Sequence, residues 1–115
     1  MLPIQNTLEL LQKIDTENLY QNLIQQLNKD FQLSNLDESF ELSLTPVQLK
    51  EILSKIILNL LTNKYDDYLI FLYRVDVLEK ELAALKAANL ETTAEQITFL
   101  ILKREYQKVW FKNRL

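Results

Sequence analysis

Apolar positions recur with helical spacing over most of this chain, and the clearest run lies between residues 46 and 62. Leu49, Ile52, Leu53, Ile56, Ile57, Leu60 and Leu61 follow one another at i, i+3, i+4, i+7, i+8, i+11 and i+12. That spacing puts them on one stripe of an α-helix. Lys50, Glu51, Ser54, Lys55 and Asn59 fall on the opposite side. The segment Thr45-Pro46-Val47-Gln48 supplies the start: Thr at the N-cap, Pro at the first helical position, and Gln three residues after the cap. The pattern predicts a helix over 46–62, ended by Thr62-Asn63.

Residues 7–32 read as a pair of helices. Leu8, Leu10, Leu11 and Ile14 form a short apolar face, and Asp15-Thr16 has the chemistry of an N-cap for a second helix. Leu19, Leu23, Ile24, Leu27 and Phe31 then share a stripe, opposite Gln21, Asn22, Gln25, Gln26 and Asn28. Between about 33 and 44 the period changes to two, with Phe40, Leu42 and Leu44 alternating with Glu41 and Ser43. This segment is expected to be an extended strap across the bundle. The alternative is a strand that pairs with its mate in a dimer.

Tyr65, Tyr68, Leu69 and Leu72 make the next stripe, over 65–74. Ile70, Phe71 and Tyr73 spread apolar surface around most of that helix. Such a helix is either central in the core or covered by a partner. Asp76 and Glu79 have capping-box spacing ahead of Leu78, Leu82 and Leu85, and Asn89 fits a stop. Thr92 or Thr93, with Glu95 or Gln96, opens the last helix, 93–111. Its apolar residues include Ile97, Phe99, Leu100, Ile101, Leu102, Tyr106, Val109, Trp110 and Phe111. The expected fold is all-α, a compact bundle of five or six helices with an extended strap at about 33–44. It is read as a single domain: an N-terminal helical hairpin (about 7–32), the strap, and a helical core (45–115).

Composition supports a helical reading, with 25 Leu and no Gly among 115 residues. It also removes chemistry. The chain has no Cys and no His, so disulfides, thiolate metal sites, the usual zinc sites and an imidazole general base are all excluded. Phosphate loops that depend on Gly are excluded too. No cofactor and no metal site is expected, and the protein is read as non-catalytic. The apolar run Leu69–Tyr73 is far short of the roughly 20 residues that cross a bilayer. The start Met1-Leu2-Pro3-Ile4-Gln5-Asn6 has no basic segment or small-residue cleavage site. The expectation is a cytoplasmic protein with no membrane partner.

Charge is unevenly spread. Residues 103–115 carry Lys103, Arg104, Lys108, Lys112 and Arg114 against Glu105, a balance of +4, while the other 102 residues balance to −7. Arg104, Lys108 and Lys112 are spaced to share one helix face. Tyr106, Trp110 and Phe111 are interleaved with them. Arg104, Lys108, Lys112 and Arg114 with Tyr106, Trp110 and Phe111 are the candidate partner-binding set. Cations with interleaved aromatics can bind nucleic acid by phosphate contact and stacking. Cations in a last helical turn also simply complement the helix dipole, and an overall charge of −3 disfavours nucleic acid. Adjacent helical residues point about 100° apart, so Asp66 and Asp67 do not readily share an ion. They suit a helix N-terminus instead. Arg74 and Asp76 lie between two apolar segments and are candidates for a structural ion pair.

These readings converge on a small helical module that binds other protein chains, with a second copy of itself among the candidate partners. The alternatives are a nucleic-acid-associated protein using the basic C-terminal helix, and an enzyme built on the carboxylates Asp66, Asp67, Asp76 and Glu79.

Overall fold

The computed structural model describes residues 6–114, which form six helices. They are α1 (Thr7–Thr16), α2 (Tyr20–Leu33), α3 (Pro46–Asn63), α4 (Tyr65–Val75), α5 (Glu79–Ala83) and α6 (Leu90–Arg114). Among the described residues there is no strand. The fold is the all-α bundle that the apolar periodicity predicts. Residues 1–5, which carry most of the segment read for a leader, and Leu115 lie outside the described residues. No described helix is long and apolar enough to cross a membrane.

The α3 cap forms as its sequence predicts. The Thr45 hydroxyl accepts from the Gln48 N–H at 3.2 Å, and the Gln48 side chain accepts from the Thr45 N–H at 3.0 Å. Other expected boundaries shift. Asp15 and Thr16 do not cap α2 but complete α1. The Thr16 hydroxyl donates back to Lys13 O at 2.7 Å. The chain turns through Asn18 at φ 60°, a left-handed conformation that Asn tolerates better than most residues. Leu19 occupies the cap position of α2 without a side-chain bond. Likewise Asp76 does not open α5: it ends α4 in the left-handed region at φ 72°. Asn89 is a start and not a stop. Its side-chain oxygen accepts from the Thr92 N–H at 2.8 Å, so α6 begins at Leu90, ahead of the predicted Thr caps. An Asn side chain can serve either end of a helix, and spacing alone does not choose between them.

Residues 34–45 are the strap. Asn28 on α2 brackets Phe40 from both sides of its backbone: Asn28 Nδ2 donates to Phe40 O at 2.9 Å, and Phe40 N donates to Asn28 Oδ1 at 2.8 Å. The Tyr20 hydroxyl donates to Leu44 O at 2.6 Å. These bonds satisfy backbone groups that have no helix or sheet to serve them. The Phe40 ring is buried 5.7 Å from Phe31, and Phe31 stacks on Phe71 at 4.1 Å.

One core cluster runs from Leu10 on α1 to Leu102 on α6. The long α6 is its axis. It packs most extensively on α3 and also meets α1, α2 and α4. The α1 helix touches α3 and α6 more than it touches α2. The radius of gyration, 13.4 Å, matches the ~13 Å typical of a folded domain this long.

Candidate interaction surface

The basic stripe of α6 reaches acceptors on its neighbours from a partly solvated face: Arg104 and Lys108 are half-buried and Lys112 is exposed. Arg104, Lys108 and Lys112 share a face, as their spacing predicts, and that face looks onto α2 and the end of α4. Arg104 Nε donates to Asp76 O, and its Nη2 lies 3.1 Å from Asp76 Oδ2. Lys108 Nζ donates to Asp30 Oδ2 at 2.6 Å and to Val75 O at 3.2 Å. Lys112 Nζ donates to Gln26 Oε1 at 2.7 Å. The other two cations are also engaged. Lys103 pairs with Glu81 at 2.9 Å, and the Arg114 guanidinium lies 4.2 Å from the Trp110 ring centre.

The candidate Arg74–Asp76 pair does not form. Asp76 turns out of the helix at positive φ, and its carboxylate meets Arg104. Among the described residues no carboxylate lies within ion-pair distance of Arg74, which is exposed. Of the four carboxylates considered for catalysis, Asp66, Asp76 and Glu79 are exposed and Asp67 is half-buried. Asp66 and Asp67 lie in the first turn of α4, where a helix dipole favours negative charge.

A different carboxylate pair is buried. Glu105 is fully enclosed and Asp30 nearly so. Lys108 Nζ stands 2.9 Å from Glu105 Oε1 as an ion pair, and neither Glu105 oxygen has a hydrogen-bond partner. Burial, with the Asp30 carboxylate beside it, pushes the Glu105 carboxyl up to about 9 despite Lys108. Burial and the neighbouring Asp30 carboxylate thus favour the neutral, protonated form of Glu105. Two carboxyls in one enclosed site then carry a single negative charge, matched by Lys108. This cluster ties α2 to α6. The sequence carries a trace of it: Ile97, Ile101, Glu105 and Val109 follow at i+4 intervals, which places Glu105 on the buried line of α6.

The aromatic candidates divide. Tyr106 is half-buried and donates to Glu17 Oε1 at 2.6 Å, with Lys13 over its ring. Burial and the Glu17 carboxylate push its hydroxyl up to about 12. Trp110 is half-buried and meets Phe111 edge-on at 5.3 Å. Phe111 is 59% exposed.

The larger apolar surface lies on α4, outside the residues singled out for partner binding. Tyr68, Phe71, Leu72 and Val75 are buried. Tyr65, Leu69, Ile70 and Tyr73 are exposed by 55%, 47%, 50% and 86%. At about 100° per residue, the exposed positions 65, 69, 73, 66, 70 and 74 occupy one half of the helix. Four of the six are apolar or aromatic. A contiguous apolar strip on solvent is unusual in a protein that works alone. Comparison with protein-family models, with curated proteins and with solved structures finds no match.

Proposed function

We propose that this protein is a non-catalytic interaction module that associates with protein chains through the outer face of α4. The observation that carries this reading is the exposed row Tyr65, Leu69, Ile70 and Tyr73 on a helix already buried on its other side. Aromatic residues are favoured anchors at protein interfaces because they bury large area while ordering few torsions. The pairing of Arg104, Lys108 and Lys112 with protein acceptors weighs against the nucleic-acid alternative. That mode needs cations free to reach phosphates.

The test is the mass of the protein in an extract of its own cells, cross-linked before lysis so that dilution does not separate a weak complex. The wild type elutes above the 13.6 kDa of a single chain, and Leu69→Asp with Ile70→Asp returns it to that mass. Both side chains are solvent-facing, so the double variant keeps its fold, read by circular dichroism. Elution of the wild type as a free single chain would refute the reading.

A further inference from the structure

We infer that the occupant of the α4 face is a second copy of the same helix, packed antiparallel about a twofold axis. This rests on the interaction reading above and adds the partner and its orientation. The argument is that the face is complementary to itself. A twofold axis running beside the outer face of α4, level with the midpoint between Leu69 and Ile70, sets each residue at the height of the one whose number completes a sum of 139 and on the same side of the contact. Asp66 and Tyr73 lie on the centre line, and Asp66 meets the second copy's Tyr73, an acceptor beside a phenol. Leu69 meets the second copy's Leu69 on one side of that line, and Ile70 meets the second copy's Ile70 on the other. Tyr65 and Arg74 flank the contact on opposite edges. All six are outward-facing positions of α4, and Asp67, the one further charge on the helix, is half-buried.

Charge gives the direction. Asp66 sits in the first turn and Arg74 in the last. Antiparallel packing brings the acid of each copy to within about one residue rise of the base of the other. Parallel packing would set Asp66 beside Asp66 and Arg74 beside Arg74. Arg74 has no ion-pair partner among the described residues of its own chain, although Asp76 is two positions away. The antiparallel pair gives it an acid. The contact is isologous, so it closes as a dimer and does not propagate.

Its size sets the strength. Eleven residues span about 16 Å, which buries less than the roughly 800 Å² per partner of a standard interface. The contact is accordingly at the small end of specific interfaces, among the weak and transient ones.

Sedimentation of the purified full chain from 10 μM to 1 mM, with cysteine pairing, tests this. The weight-average mass rises from 13.6 kDa toward twice that value, and Leu69→Asp weakens the association at least tenfold. The chain contains no Cys, so introduced thiols report without background. Asp66→Cys mixed with Tyr73→Cys forms a disulfide dimer. Asp66→Cys alone does not, because antiparallel packing sets its two copies about 10 Å apart along the axis, beyond disulfide reach. A single-chain mass at 1 mM would overturn the inference. If the extract mass were still high, self-pairing would fail while the interaction reading survived. Self-linking of Asp66→Cys would overturn the antiparallel arrangement, and a dimer indifferent to Leu69→Asp would overturn the choice of face.

Discussion

Glu105 and Asn28 show how single side chains hold this fold at sites where neither apolar pattern nor cap explains them. Glu105 binds its proton far more tightly when folded, at about 9, than at the ordinary carboxyl value of 4.5. Between those two values the folded state holds more protons than the unfolded one, so this group's contribution falls as pH rises. The loss approaches about 1.4 kcal/mol per pH unit, and it levels off above 9. Glu105→Gln keeps the shape and a donor toward Asp30 but has nothing to ionise. Urea unfolding of the variant at pH 5 and at pH 8.5 will show a smaller difference than the wild type, and its midpoint at pH 8.5 will be higher. Asn28 acts through geometry instead. Asn28→Ala leaves both backbone groups of Phe40 without their partner in a partly buried position. It is expected to cost about 1–3 kcal/mol in the same urea assay, with the strap at 34–45 gaining amide exchange before the helices do.

At the scale of elements, α3 was almost fully written in its sequence, because a Thr-Pro-x-Gln start and seven apolar positions all agree. Thr45→Ala removes one half of the box and should lower stability by about 1 kcal/mol, read as a lower thermal midpoint with unchanged helical content. The α2, α5 and α6 starts were less legible. Asp15-Thr16, Asp76 and Asn89 all have cap chemistry, yet they respectively complete α1, terminate α4 and open α6. A polar side chain near a helix end offers its oxygen to whichever orphan N–H the packing brings near, and packing is not local information. The α6 face shows the same limit. Spacing correctly gathers Arg104, Lys108 and Lys112, but it does not say whether that side looks outward. The answer depends on Asp30, Asp76 and Gln26, which lie tens of residues away. Arg104, Lys108 and Lys112 of the candidate partner-binding set thus also reach acceptors on α2 and at the end of α4, while Phe111 and Arg114 stay on solvent.

For the whole molecule, the apolar content of α4 and α6 was the informative quantity. The core takes one face of α6 from Ala94 to Val109, while α4 lies with half its circumference on solvent. A helix apolar nearly all round but packed on one side is an incomplete core element, and the second copy of α4 completes it. The central claim is that the outer face of α4 packs against a second copy of itself, and the most direct measurement follows backbone amide chemical shifts of the purified chain from 20 μM to 1 mM. The account predicts that shifts move with concentration at residues 65–74 and remain still along α6, including Trp110 and Phe111. Unmoved α4 amides across that range, or changes centred on the end of α6, would contradict it.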